Sequence, residues 1–119
     1  METSKHYYLL DRLKGLKNVV LGNHDMAKDI PELMKHVNKV SGMVNYKGIW
    51  LTHCPVHPRE LDFRVKYNIH GHIHEHIITK SEYDVEGFPR EIKDERYKCV
   101  SCEHTNYEPV SLEELKIAR

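Results

Sequence analysis

The sequence predicts an α/β fold in which helices pack against a sheet. Short apolar runs that end in polar loops alternate with segments of helical periodicity, which is typical of layered α/β folds. Of the 119 residues, 39% are hydrophobic, enough for one modest core. We find no internal repeat, linker or low-complexity tract, so residues 1–119 are expected to form a single domain.

The first half of the chain predicts two helices on either side of a short strand. Apolar residues recur near helical spacing from Lys5 to Lys14, and Gly15 is placed to end that helix. The stretch "KNVVLG" (17–22) predicts a buried strand that leads into a polar loop. Pro31 fits the first turn of a second helix. The apolar stripe of that helix would comprise Leu33, Met34, Val37 and Val40.

The second half predicts mainly strands. "MVNYKGIWLTH" (43–53) predicts a hairpin around Lys47 and Gly48, with its second arm ending at His53. "FRVKYNIHGHIH" (63–74) predicts a strand that runs to Ile69 and ends in a polar cluster, and "RYKCVSCEHTNY" (96–107) predicts another. Between them, residues 81–95 predict a surface loop or a hairpin arm. Ser111 and Glu114 form a capping box that would open a helix over Leu112–Ala118.

The composition argues against a nucleic-acid-binding protein and against a membrane protein. Basic and acidic residues balance at 18 each, so no positive field points to nucleic acid as a binding partner. No apolar run approaches a membrane span and the N-terminal stretch is too charged for a signal peptide, so we expect a cytoplasmic protein without a membrane partner. Three cysteines fit a reducing compartment. Cys99 and Cys102, three apart on a strand, would point to opposite faces and act as unrelated thiols.

Histidine and amide side chains follow three predicted strands, where loops at strand ends commonly form sites. These are Asn23 with His24, then His53, then His72 with His74. Imidazole nitrogens and an amide oxygen suit Mn, Fe, Ni or Zn. Each residue also has a structural alternative: Asn23 in a turn, Asp25 as a helix cap, His53 as a hydrogen-bonded strand end.

Neighbouring residues receive structural roles. His70 and His76 would lie behind the metal ligands or on the surface, His57 would line a pocket wall, and Cys54 would be a small buried hydrophobe. A separate alternative is a histidine-rich zinc module. It would require the alternating His70, His72, His74 and His76 to bind one ion together.

Three motifs occur in a defined order: GNHD (22–25), a histidine after an apolar strand in "LTHCP" (51–55), and GHIH (71–74). This order resembles the C-terminal part of the calcineurin-like metallophosphoesterase family, and the stretch 94–115 is similar to small phage and bacterial members. The resemblance implies a layered α/β/β/α sandwich that is incomplete at the N-terminus. It implies hydrolysis of a phosphomonoester or phosphodiester by a metal-activated hydroxide.

The resemblance assigns roles to matching residues only. Asn23, His53 and His72 would bind one metal and His74 the other, about 4 Å away. His24 would be the general acid at the leaving group, and Asp25 would orient its ring. A complete site would hold two divalent cations, Mn, Fe, Ni or Zn. The substrate would be a small phosphoester or a nucleotide, with nucleic acid acting as a substrate only.

The family's DxH and GDxxD motifs are absent from the chain. The resemblance implies that they supply an Asp and a His to the metal of His74, and the Asp that bridges both metals. The chain is therefore expected to begin after the first βαβ portion of the fold. The missing ligands could lie upstream or on another chain. The alternative function is a non-catalytic metal-binding or scaffold protein that retains the phosphoesterase fold. An uncovered sheet edge would favour a homo-oligomer.

Overall fold

A computed structural model describes residues 4–117. It contains both helix and sheet, so the fold is broadly α/β as predicted. The strands of the described chain are short. In chain order they are β1 (Asn18–Val20), β2 (Lys39–Ser41), β3 (Met43–Tyr46), β4 (Ile49–Thr52), β5 (Tyr67–His70), β6 (Thr79–Tyr83), β7 (Pro89–Lys93) and β8 (Tyr97–Cys99).

These strands form three separate sheets. The largest has the order β3-β4-β5-β8, in which β4, β5 and β8 run parallel and β3 is antiparallel to β4. β1 pairs with β2 in parallel, and β6 pairs with β7 in an antiparallel hairpin. Because β4 and β5 are parallel, with Leu51 opposite Ile69, their carboxyl ends open into loops at the same edge of the sheet.

The predicted hairpin around Lys47 and Gly48 is confirmed. Both residues have positive φ, 50° and 82°, as a two-residue hairpin turn requires. Asn45 Oδ1 accepts a hydrogen bond of 3.1 Å from Gly48 N and stabilises the turn. β4 therefore ends at Thr52, directly before His53.

The helices are shorter than predicted. The N-terminal helix exists as a 3-10 helix over Ser4–Arg12, and Gly15 follows it with φ 92°. The second helix, α1, spans only Ile30–Leu33. Its predicted stripe beyond Leu33 is wrong: Met34 is exposed and Val40 lies in β2.

Pairing with β1 explains why the second helix stops early. Asn38 Oδ1 accepts a hydrogen bond of 2.7 Å from Lys17 N, and Asn38 N donates one of 2.8 Å to Lys17 O. These bonds draw the chain into an extended strand beside β1. Tertiary pairing thus overrides the helical periodicity of residues 33–40.

The C-terminal part matches the predictions in some places and corrects them in others. Of the two alternatives for residues 81–95, the structure has a hairpin arm, formed by β6 and β7. The strand predicted over residues 96–107 is confirmed only over Tyr97–Cys99. α2 (Cys102–Thr105) was not predicted, and it shows that the placement of Cys102 on one strand with Cys99 is wrong. The Ser111–Glu114 capping box forms both its side-chain bonds, but residues 112–116 are turns, so the predicted helix is wrong over that range. Ala118 lies outside the described residues.

One buried hydrophobic cluster includes residues of the main sheet. Leu61, from the 3-10 helix Pro58–Leu61, packs with Val65 and Tyr97, and Trp50, Val56 and Ile78 pack against them. Across residues 4–117, no helix combines the length and apolarity that crossing a membrane requires.

Candidate metal centre

Three of the four predicted metal ligands converge at one point. Asn23 Oδ1 lies 2.7 Å from His53 Nε2, and the same nitrogen lies 3.1 Å from His72 Nδ1. The two imidazole rings meet edge to face, with centroids 4.9 Å apart. The residues follow β1, β4 and β5, so three separate loops build the cluster.

The spacing of these atoms fits a divalent cation. Ligand atoms about 2.1 Å from a metal lie about 3.0 to 3.4 Å from one another in octahedral or tetrahedral geometry. The 3.1 Å between His53 Nε2 and His72 Nδ1 lies in this range, and the 2.7 Å between Asn23 Oδ1 and His53 Nε2 would have to lengthen by about 0.3 Å. Burial, and then the neighbouring His72, lower the pKa of His53 below its ordinary value, which favours the neutral imidazole that a metal requires. A cation bound at His53 Nε2 would require the proton of the neutral ring to lie on Nδ1.

Gly22 is required by the close approach of the His53 ring. A Cβ at this position would lie 2.8 Å from His53 Nδ1 and 2.9 Å from Cε1. The loop that follows is closed by two hydrogen bonds: Gly22 N donates to Asp25 Oδ2 at 2.8 Å, and Asp25 N donates to Gly22 O at 3.1 Å. These bonds place Asn23 over the ring.

The loop that carries His53 is held by Asn68, a residue that the sequence prediction missed. Asn68 is fully buried in β5; its Nδ2 donates to Trp50 O and Thr52 Oγ1, both at 3.0 Å, and its Oδ1 accepts from Val56 N at 2.9 Å. Gly71 N adds a bond of 2.9 Å to His53 O. The sequence did contain an indication of this role, because Asn68 is a polar residue between Tyr67 and Ile69 in a predicted strand.

The backbone around the GHIH motif is strained. His72 and His74 have φ values of 71° and 51°, in the left-handed region that disfavours residues with a Cβ. Such strain is common at functional sites. It directs His72 toward His53, whereas His74 is exposed, with Nδ1 3.5 Å from Glu103 Oε1 on α2. The structure thus does not bring His74 to the other three residues.

The predicted acid and its orienting partner lie beside the cluster. His24 is exposed on the loop between Asn23 and Asp25. The Asp25 carboxylate contacts the backbone of Gly22. Orientation of the His24 ring by Asp25 stays a prediction.

Cys54 corrects the sequence interpretation. It is exposed, so its assignment as a buried hydrophobe is wrong. His53, Cys54 and His72 each offer a ligand atom, and these atoms lie within 4.8 Å of one another. Among the His, Cys, Asp and Glu side chains of the described residues, these three form a group that could hold a metal ion. Neither Cys99 nor Cys102 belongs to it.

The other histidines have structural roles. His70 is buried, with Nδ1 2.9 Å from Gly71 O, and His57 Nδ1 accepts from Arg59 N at 3.2 Å, capping a 3-10 helix. His76 is exposed. Over the part of the chain that the structure describes, the alternating histidines do not share one site, so the geometry gives no support to a histidine-rich zinc module.

Family models, curated proteins and solved structures gave no match to this chain.

Proposed function

We propose that this protein is a metal-dependent phosphoesterase of the calcineurin-like type, with the layered sandwich fold of that family. The convergence of Asn23 Oδ1, His53 Nε2 and His72 Nδ1 supports the proposal. The three residues were selected from their positions after predicted strands and from the motif order, and their side-chain atoms lie 2.7 and 3.1 Å apart although 30 and 19 residues separate Asn23 and His72 from His53.

Each residue near the cluster has a role in the proposed reaction. Asn23, His53 and His72 hold one divalent cation, Mn, Fe, Ni or Zn. The bound cation supplies Lewis-acid polarisation of a phosphoryl oxygen and lowers the pKa of water. His24, exposed beside Asn23, gives a proton to the oxygen of the leaving group. The substrate in this proposal is a small phosphoester or a nucleotide.

A second cation at His74 belongs to the same proposal and needs further ligands. Hard dications bind carboxylates strongly, and the metal-capable group of the described residues contains none. Carboxylates from outside the described site would have to complete the second position. Metal content therefore distinguishes a one-metal centre from a two-metal centre.

Hydrolysis of bis(p-nitrophenyl) phosphate by the purified chain, measured separately with Mn²⁺ and with Zn²⁺, tests the proposal. We expect metal-dependent turnover that His24→Ala lowers by about 100- to 10,000-fold, the usual contribution of a general acid. His76→Ala, which removes another exposed imidazole, is the matched control and keeps its activity. Absence of metal-dependent turnover in the wild-type chain would refute the hydrolase.

The position of His74 supports a second candidate, a non-catalytic metal-binding protein. His74 Nδ1 lies 3.5 Å from Glu103 Oε1, and His74 does not belong to the metal-capable group that contains His53 and His72, so the predicted ligand of the second metal lies apart from the first site. Elemental analysis discriminates between the candidates. Two metal ions per chain would contradict the binding protein, whereas one ion together with no turnover would favour it.

A further inference from the structure

Cys54 follows a predicted ligand in the sequence, and its sulfur lies within 4.8 Å of a ring nitrogen of His53 and of a ring nitrogen of His72. We propose that Cys54 supplies a thiolate ligand to the cation held by Asn23, His53 and His72, and that the centre therefore selects zinc-like, thiophilic cations over manganese or magnesium. This inference rests on the metal site of the proposed function. It does not depend on hydrolysis.

The position of the sulfur allows coordination after a small adjustment. The sulfur lies at most 4.8 Å from one ring nitrogen of each of His53 and His72, and a tetrahedral zinc ion would set a sulfur–nitrogen distance of about 3.6 Å. The Cys54 side chain is exposed, so rotation about its Cα–Cβ bond breaks no core packing. Its backbone is fixed, because Thr52 Oγ1 donates to Cys54 O at 2.6 Å.

Asn68 holds both ligands in one segment. Its Nδ2 donates a hydrogen bond to Thr52 Oγ1, which in turn donates to Cys54 O. Its Oδ1 accepts a hydrogen bond from Val56 N. His53 and Cys54 therefore leave β4 in a segment anchored before and after them. An anchored pair loses less conformational entropy when a metal orders it.

Cys54 would add a negative charge to the set of ligands itself. Asn23, His53 and His72 are neutral ligands, and the nearby Asp25 carboxylate, which raises the pKa of His53 electrostatically, is hydrogen-bonded to Gly22 N. When sulfur binds the metal, the thiol proton passes to solvent and the thiolate contributes one negative charge. Thiolate is a soft ligand that favours zinc and cobalt, whereas manganese and magnesium prefer oxygen.

Cobalt(II) binding to the full chain under anaerobic, reducing conditions tests the proposal. The wild type should show a near-ultraviolet sulfur-to-cobalt charge-transfer band with one proton released from the thiol. Cys54→Ser should lose the band and bind zinc about 10- to 100-fold more weakly, with Mn²⁺ affinity changed much less. Cys102→Ser, which alters an exposed thiol outside the group, is the matched control and keeps the band. Cooperative unfolding of each variant checks its fold.

The outcomes separate this proposal from the proposed function. Cobalt bound to the wild type without the charge-transfer band, or a band that persists in Cys54→Ser, would overturn the thiolate ligand and leave the Asn23–His53–His72 site intact. Failure of the wild type to bind cobalt or zinc would overturn both proposals. A band that depends on Cys54, in a chain without phosphoesterase activity, would support the ligand and refute the hydrolase.

Discussion

Replacement of Gly22 by alanine is the most direct perturbation of the proposed centre. The new Cβ would lie 2.8 Å from His53 Nδ1, and ordinary contact begins at 3.4 Å, so the ring must retreat by about 0.6 Å. Metal–ligand distances tolerate only about 0.2 Å. The displacement would move Nε2 away from Asn23 and His72. We expect the dissociation constant for zinc to rise about 10- to 100-fold, as when an orienting residue is lost.

Zinc affinity is measured by competition with a chelating dye, and the free energy of unfolding of the apoprotein by urea titration. Gly22 does not need a positive φ, so the backbone accepts alanine and the apoprotein should lose little stability. Gly42→Ala is the matched control, because its Cβ would have nothing within 4 Å. An affinity of Gly22→Ala within twofold of the control would refute the argument.

Three further predictions concern stability. Asn68→Leu leaves several buried partners unsatisfied, so urea unfolding should show a loss of about 2 to 4 kcal/mol, and unchanged stability would contradict this. Asp94 has a pKa lowered by the hydrogen-bonded Arg96, so its stabilisation is present above pH about 4 and disappears as pH falls through the folded-state pKa. Asp94→Asn should cost about 1 to 2 kcal/mol at pH 7 and flatten the acid decline in unfolding titrations. His74→Gly should be about 1 kcal/mol more stable to urea than His74→Ala, since glycine relieves the left-handed backbone; equal stabilities would argue against strain.

Sequence predicted the elements that depend on local chemistry. The turn at Lys47 and Gly48 followed from a residue type that tolerates positive φ, and the strand of residues 67–70 from its apolar run. The helix predicted beyond Leu33 failed because residues 34–36 form a turn and Lys39–Ser41 form β2. Pairing of Asn38 with Lys17, 21 residues away, decided between helix and strand.

The candidate site was likewise predicted from the sequence only in part. By itself, the sequence determined which residues carry metal-binding chemistry, because imidazole and amide groups directly after strands are visible as motifs: Asn23, His53, His72 and His74. Only the tertiary structure decided that the first three meet and that His74 turns toward Glu103. It also decided the exposure of Cys54 and the need for glycine at position 22. These features depend on distances between loops from different strands, and the spacing of residues along a chain contains no such distances.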